Sequence, residues 1–152
     1  MKSIITVVLI FPLFCYGQNK QLNLDNDQLD VLNTIKAWNN AFAANDPVSY
    51  FQFVHEDVTL FLPTFPYRIE GKQDDREEFE YSLKKGWTRI GYFQELQPKI
   101  QIIGSTAIVT YHNRGTYGEG DSEKSISLKE TDVLVKEDGK WKVIHIHVSS
   151  AD

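Results

Sequence analysis

The chain contains 152 residues, of which 41% are hydrophobic and 12% aromatic. This supplies the core of one domain but is too short for two comfortable ones. Its 16 lysines and arginines against 21 aspartates and glutamates give a net charge of -5, which repels the phosphate backbone of nucleic acids. The absence of any low-complexity stretch excludes a disordered chain. We therefore expect one folded domain that does not bind nucleic acid.

Residues 1–17 have the pattern of a secretory signal peptide. Lys2 precedes an unbroken apolar run that ends at Cys15, and small residues, Cys15 and Gly17, lie three positions and one position before Gln18. Signal peptides are cleaved after small residues in this arrangement. The apolar run of about a dozen residues is shorter than the roughly 20 that a bilayer-spanning helix needs. We therefore expect cleavage between Gly17 and Gln18.

Cleavage at this position makes residues 18–152 a secreted or periplasmic domain without a membrane anchor. Cys15 is the only cysteine, so the mature domain contains none, which excludes disulfides and cysteine-based zinc sites. The alternative is lipidation of Cys15, although Phe14 is bulky at a position where lipoprotein signals have a small residue.

Three helices are predicted in the first half of the mature chain. Residues 25–44 carry an apolar stripe at helical spacing, and Pro47 is well placed to begin a short second helix. After a predicted strand at 58–62, residues 74–87 begin with acids and end with lysines, the order that a helix dipole favours. We interpret the charges of this third helix as a solvated face. The stripe of the first helix consists of Leu29, Leu32, Ile35, Trp38 and Phe42.

Alternation with a period of two begins after Trp87 and predicts four long strands. The stretches are 92–103, 106–117, 125–137 and 140–149. Tight turns and one longer polar loop separate them, as in an antiparallel meander. Helices followed by a meander indicate an α+β domain, in which the N-terminal helices cover one face of a strongly curved antiparallel sheet.

The segment KETDVLVKEDGKWKVIHIHVS, residues 129–149, resembles the C-terminal hairpin of the nuclear transport factor 2-like superfamily, especially its SnoaL-like branch. The association domain of calcium/calmodulin-dependent kinase II is similar in the same place, with Gly-Lys-Trp and a His-x-His-x-Ser ending. Trp38 in the first helix, Gly71 before the third and the meander follow the family order. The resemblance implies a cone-shaped roll that encloses a pocket, and a homodimer. It does not imply one function, because this superfamily contains enzymes and non-catalytic domains.

The last predicted strand carries two histidines. Alternation places His145 and His147 on one face, and Ile144, Ile146 and Val148 on the other. The histidines either hydrogen-bond within the sheet or a dimer interface, or serve as pocket groups, or hold a metal. A metal site lacks a third ligand at a matching spacing, so we expect none. The three aliphatic residues would form an exposed apolar face unless another surface buried them. This predicts a homodimer in which the two protomers pack through that face.

The two preceding strands place polar side chains beside apolar ones. Tyr111 and Asn113 share one face, and Glu130 and Asp132 share a face with leucines. A carboxyl group beside aliphatic side chains is a candidate for a raised pKa, which suits a general acid or base. We therefore predict that Asp132 and His147 form a catalytic pair, with the other polar residues binding the ligand. Solvated edge acids and core packing are the alternatives.

The remaining pocket candidates are aromatic. Trp38 and Tyr50 are positioned to line the pocket from the helical side, with core packing as the alternative. The resemblance adds a contrast, because the kinase association domain has pocket arginines where this chain has Asn113 and Asp132. The anion-binding role of those arginines therefore does not carry over.

The function most consistent with these features is an exported protein that binds a small, hydrophobic molecule. No nucleophile elbow, phosphate-binding glycine loop or dinucleotide fingerprint occurs, and we expect no cofactor. Two alternatives stay open. One is a cofactor-independent isomerase, dehydratase or hydrolase-type enzyme that uses an aspartate and a histidine, and the other is a non-catalytic dimerisation module.

Overall fold

The computed structural model describes residues 24–119 and 122–151. The expected signal peptide and its cleavage site lie outside these residues. The helices are α1 (Asn26–Ala43), α2 (Pro47–Tyr50) and α3 (Lys72–Lys84). The strands are β1 (Val54–Phe61), β2 (Ile69–Glu70), β3 (Trp87–Ile103), β4 (Thr106–Glu119), β5 (Ser122–Glu137) and β6 (Lys140–Ser150). Within the described ranges, no helix is long and apolar enough to cross a bilayer.

Local signals set the starts of the helices. The Asp25 carboxylate accepts the backbone N–H of Gln28, and the Gln28 side chain accepts the N–H of Asp25, which forms a capping box for α1. Asp46 caps α2, whose first residue is Pro47. α3 follows Gly71, whose φ of +89° favours glycine. The three predicted helices are confirmed.

The strands form one sheet in the order β2-β1-β6-β5-β4-β3. The predicted antiparallel meander, β3 to β6, is confirmed. The sheet is not antiparallel throughout, since β1 runs parallel to β6. Parallel strands need a crossover connection. Here α3 carries the chain from β2, at one edge of the sheet, to β3, at the other edge, before the meander begins. The α+β class and the cone-shaped roll are confirmed.

Irregularities in β3 help the sheet to curl around the helices. The pairing of β3 with β4 shifts register twice, between Ile90 and Gln94 and between Leu96 and Lys99. Gln97 lies within the second shift and has a φ of +55°. Such bulges bend a strand and increase its twist. The concave face therefore encloses the core with the helices.

A bulge in β6 decides which of its side chains face this core. Leu134 of β5 pairs with Val143, but Val133 pairs with His145, so Ile144 is an extra residue without a partner of its own. An extra residue in one strand reverses the alternation of the side chains that follow it. The predicted sides of the sheet on which the β6 side chains lie are therefore correct only up to Val143.

The predicted faces of the second half of β6 are wrong for this reason. Ile146 and Val148 are buried in the core, whereas His145 and His147 point to the outer face and are half-buried and exposed, respectively. Ile144, Ile146 and Val148 do not share a face, so they cannot form the predicted dimer interface together.

We predict that Gly115→Ala lowers the free energy of unfolding by about 1–3 kcal/mol, the usual cost of overpacking a core. A Cβ on Gly115 would clash with the ring of Phe93, and Phe93 is itself buried. Urea unfolding measures the change. The same substitution should cost less in a Phe93→Leu background, and an equal cost in both backgrounds would contradict this explanation.

Candidate functional site

A cavity of about 500 Å³ lies between the concave face of the sheet and the helices. Exposed residues among its lining, such as Pro63, Trp87 and Lys124, mark its opening. Aromatic and aliphatic side chains form most of the wall. The rings that form it include Trp38, Phe42, Tyr50, Phe79, Phe93 and Tyr117.

Trp38 and Tyr50 line the cavity, as predicted. Their ring centroids lie 5.3 Å apart, and both side chains are buried. Burial, followed by the charge of the nearby Asp75, raises the pKa of Tyr50 well above its ordinary value. Tyr50 therefore presents a neutral phenol within an apolar wall.

Arg89 supplies a buried cation to the cavity. Its guanidinium carbon lies 4.1 Å from the ring centroid of Phe42 and 4.3 Å from that of Phe79, which is the geometry of cation–π contacts. Nε and Nη1 are buried and have no hydrogen-bond partner within the described residues. Burial lowers the pKa of Arg89, and Tyr117 and Tyr50 oppose this shift. The group nonetheless stays charged at neutral pH.

The backbone of Arg89 is fixed by Asn45, in the turn between α1 and α2. The N–H of Arg89 donates to Asn45 Oδ1 at 2.9 Å, and Asn45 Nδ2 donates to the Arg89 carbonyl at 2.9 Å. Asn45 has a φ of +56°, a conformation that asparagine tolerates better than most residues. The turn that ends α1 therefore positions the cation of β3.

Arg89 was missed because the predicted strand began at Tyr92. The strand begins at Trp87, and residues four apart on a strand share a face. Arg89 and Phe93 both line the cavity, because the register shift between Ile90 and Gln94 adds two residues to β3 and so preserves the alternation. A strand extended to Trp87 would have indicated Arg89 as a pocket residue.

Asp75 of α3 is a buried acid in the same cavity. It is 4% exposed, and its Oδ2 has no hydrogen-bond partner within the described residues. Burial, then the charge of Glu78, raises its pKa to about 7, while Arg89 and Arg76 lower it. The interpretation of the acids in this helix as a solvated face is therefore wrong for Asp75. Its spacing of four from the buried Phe79 was the available signal.

Tyr111 and Asp132 form a hydrogen-bonded pair behind the cavity wall, so Tyr111 does not line the cavity as a ligand-binding residue would. The Tyr111 hydroxyl donates to Asp132 Oδ2 at 2.8 Å. Asn39 Nδ2 lies 3.3 Å from this hydroxyl and 2.8 Å from Glu95 Oε1. Asp132 is fully buried, and desolvation, then the charge of Glu130, raises its pKa well above its ordinary value. Asp132 lies behind the cavity wall and is not among the lining residues.

Asn113 and Glu130 form a second pair, and both line the cavity. Asn113 Nδ2 donates to Glu130 Oε2 at 2.8 Å. Burial raises the pKa of Glu130, against the hydrogen bonds from Asn113 and Tyr111. The predicted facing of Tyr111, Asn113, Glu130 and Asp132 is confirmed, because β4 and β5 pair without a bulge over these residues.

The predicted pairing of Asp132 with His147 is wrong. Asp132 is opposite the buried Ile146, whereas His147 is opposite Thr131 on the outer face, because the bulge at Ile144 reverses the strand. The ring of His147 packs against Phe61, with centroids 5.8 Å apart.

His145, predicted to bind the ligand, also lies outside the cavity. Its Nδ1 is 2.8 Å from the Thr59 hydroxyl. Burial, then the charge of His147, lowers its pKa. The hydrogen bond to Thr59 of β1 agrees with the alternative in which the histidines hydrogen-bond within the sheet. Across residues 24–119 and 122–151, no cluster of three or more metal-ligating side chains occurs.

We predict that Asp75→Asn stabilises the fold at alkaline pH. Because the pKa of Asp75 rises from 3.8 to about 7 on folding, the folded state takes up a proton between these values. Protonation of Asp75 therefore stabilises the folded state fully at low pH. This stabilisation is lost as the pH rises to about 7. Asparagine removes this dependence, so the gain should be roughly 2–4 kcal/mol near pH 8 and small near pH 4.

Urea unfolding across this pH range measures the effect. Asp74→Asn is the matched control, since Asp74 is the exposed neighbour on the same helix and should change stability by no more than about 0.5 kcal/mol. Equal pH dependence in the protein and in Asp75→Asn would show that Asp75 does not titrate near neutrality.

Three solved structures share this fold. The S. rosetta CaMKII hub is 26% identical, covers 81% of this chain and 95% of that chain, and has a TM-score of 0.66. An NTF2-like protein of unknown function from Pseudomonas putida is 21% identical, with coverages of 81% and 85% and a TM-score of 0.69. A ketosteroid isomerase-like protein from Erwinia carotovora atroseptica is 17% identical, with coverages of 85% and 99% and a TM-score of 0.74.

These structures confirm the nuclear transport factor 2-like fold. No curated protein is significantly similar to the chain. Residues 27–152 match the family described as the calcium/calmodulin dependent protein kinase II association domain, which is more than four-fifths of the chain. The chain therefore belongs to the calcium/calmodulin dependent protein kinase II association domain family.

Proposed function

We propose that this chain is an exported protein that binds a small molecule with an apolar body and an anionic group. The volume of about 500 Å³ falls in the range of small-molecule sites, roughly 300–1,000 Å³. Aromatic walls with a few converging polar groups are the usual composition of such sites. The observation that carries the proposal is Arg89, whose buried guanidinium has two N–H-bearing nitrogens without a partner among the described residues.

Arg89 selects the charge of the ligand. Arg89 has a side-chain hydrogen bond with Tyr117, but a buried cation whose Nε and Nη1 lack acceptors is still costly. An anion at these two nitrogens supplies both charge and acceptor atoms. The acids of the cavity compete only in part, because burial raises the pKa of Asp75 to about 7 and raises that of Glu130. A raised pKa keeps a carboxyl group neutral over a wider pH range.

Two fluorescent probes test this proposal. Anilinonaphthalene sulfonate carries an anionic group, and N-phenylnaphthylamine has the same ring body without it. We expect both to bind, and Arg89→Met to weaken binding of the sulfonate by about 10- to 100-fold, which corresponds to the roughly 1.5–3 kcal/mol of a charged hydrogen bond. The neutral probe should change by less than about threefold.

Arg114→Met is the matched control, since Arg114 is exposed on the outer face of the sheet. It should leave both affinities unchanged. Failure of both probes to bind the unmodified protein would refute a ligand cavity. Binding of the sulfonate that does not depend on Arg89 would refute the anion preference alone.

A second function, assembly of copies of this chain, is favoured by the outer face of the sheet. Ile108, Val133 and His145 are cross-strand neighbours there, and each is half-buried, while the described helices pack on the concave face. We infer that this face, and not one formed by Ile144 with Ile146 and Val148, joins two protomers. Ile108 and Val133 are the apolar members of this row, and burial of apolar side chains against a second copy is a common origin of homodimers.

We predict a dimer by light scattering at micromolar concentration. Val133→Glu should give a monomer, because it places a charge in the centre of the proposed interface. Asn33→Glu introduces the same side chain at an exposed position of α1 and should leave the dimer intact. A monomeric unmodified protein would exclude this interface.

Export of the protein is proposed from residues 1–17 alone. We predict a mature chain that begins at Gln18, since Cys15 and Gly17 precede it at the positions that cleavage requires. Intact-mass analysis of protein from the culture medium or periplasm measures the N-terminus. A mass that includes lipidated Cys15 would contradict release and indicate that the protein is attached to the membrane.

A further inference from the structure

We propose that a cleft on the outer side of α1 binds a small oxyanion with at least two charged groups, such as a di- or triphosphate or a polycarboxylate. This basic cleft has a volume of about 820 Å³ and lies between α1, the turn from α2 to β1, the start of α3 and the turn from β5 to β6. The site goes beyond the proposed function, because none of the described residues lines both the cleft and the cavity. The cations that line it are Lys72, Arg76, Lys140 and Lys142.

Positive charge is concentrated in the basic cleft. Its wall has four cations and one acid, Asp30, although the whole chain has a net charge of -5. The cations come from α3 and from β6, which are distant in the chain and meet only in the folded protein. A concave surface lined by charges of one sign raises the local concentration of ions of the opposite sign. The cleft therefore attracts anions to a protein that is acidic elsewhere.

Arg76 gives the cleft a cation with a defined orientation. Its guanidinium carbon lies 4.3 Å from the ring centroid of Phe51, and Phe51 is 2% exposed, so a fixed core ring supports the planar group. No ion pair between described residues includes Arg76. The parallel N–H donors of a guanidinium match two oxygens of a phosphate or carboxylate group.

Arg76 faces the cleft although its neighbour in the sequence, Asp75, faces the cavity. Successive residues of a helix point about 100° apart, so α3 presents different side chains to the two sites. The cation of the cleft is therefore not the one that serves the cavity.

Two of the lysines are held in position by neighbouring groups. Lys72 Nζ lies 2.8 Å from Glu56 Oε1, and Lys142 Nζ donates to the backbone carbonyl of Gln52. A carbonyl group orients an ammonium group without cancelling its charge. Burial, then the charges of Lys72 and Lys140, lowers the pKa of Lys142, because the cations are close enough to repel one another. An anion bound between them would relieve this repulsion.

Trp141 adds a hydrogen-bond donor to the wall. It lines the cleft and is 5% exposed, and its indole N–H is buried without an acceptor among the described residues. Both the charges and this donor favour a ligand that is rich in acceptor oxygens.

Acids around the cleft limit the size of the ligand. Asp30 lines the cleft, and Glu56 lies against Lys72. Glu137 and Glu56 are close enough to oppose the lowered pKa of Lys142. A long polyanion would extend over these acids and be repelled, whereas a compact anion contacts the cations alone. This favours a small molecule with closely spaced charges.

Calorimetric titration with pyrophosphate tests this proposal. We expect pyrophosphate to bind, and orthophosphate to bind at least about tenfold more weakly, because it meets fewer of the cations. Arg76→Met should weaken pyrophosphate binding by about 10- to 100-fold, the usual effect of removing a charged hydrogen bond. Arg76→Lys should recover only part of the affinity, since an ammonium group lacks the parallel pair of N–H donors.

A second variant tests the charge without disturbing the Phe51 contact. Lys140 is exposed at the start of β6, and Lys140→Glu should weaken pyrophosphate binding by at least about tenfold. Arg114→Met is the matched control for Arg76→Met, since Arg114 is exposed outside the cleft, and it should leave the affinity unchanged.

Citrate distinguishes the two sources of such an anion. Binding of citrate that also depends on Arg76 would show that the cleft accepts polycarboxylates. Binding of pyrophosphate alone would restrict it to phosphorylated molecules.

Three results would overturn the proposal. The first is that neither pyrophosphate nor citrate binds at millimolar concentration. The second is equal binding by the unmodified protein, Arg76→Met and Lys140→Glu, which would indicate an unspecific attraction. The third is that pyrophosphate displaces anilinonaphthalene sulfonate whose binding depends on Arg89, because the two anions would then share the cavity.

Discussion

The cavity depends on the contact of the Arg89 guanidinium with the rings of Phe42 and Phe79. This contact joins β3 to α1 and α3, and the two hydrogen bonds of Asn45 to the Arg89 backbone hold it in place. Cation–π contacts contribute about 2 kcal/mol when they are dry, whereas desolvation of an unpaired ion costs several kcal/mol. Burial of Arg89 therefore costs more than these ring contacts return, and the hydrogen bond with Tyr117 offsets part of that cost.

Buried carboxyl groups lie in the same region as the Arg89 cation. Asp75, Glu130 and Asp132 all have raised pKa values, chiefly because of burial. A carboxyl group that must be protonated on folding reduces stability as the pH rises. Groups of this kind persist in proteins mainly where they serve binding or chemistry. The cavity thus combines a cation that contacts aromatic rings with two acids, Asp75 and Glu130, whose pKa values are raised by burial.

The sequence by itself determined the helices, the meander and the facing of β4 and β5. The Asp25 cap of α1 and Pro47 at the first position of α2 act within a few residues of their own position, so local patterns are sufficient to place them. The strand faces of Tyr111 and Asp132 were predicted correctly because side-chain alternation is regular between bulges, although neither residue lines the cavity. The C-terminal hairpin, residues 129–149, indicated the superfamily but not the site, since one fold holds many functions.

Only the tertiary structure decided which chemical groups meet. The bulge at Ile144 arises from the pairing of β6 with β5, and it moved His147 away from Asp132. Asp75 and Arg89 lie on consecutive elements, α3 and β3, and line one cavity because α3 packs over the concave face near β3. Their burial, and therefore their altered pKa values, comes from neighbours on other elements. A pattern read along one strand or helix contains no information about these neighbours, because desolvation and Coulomb interactions depend on distances in space.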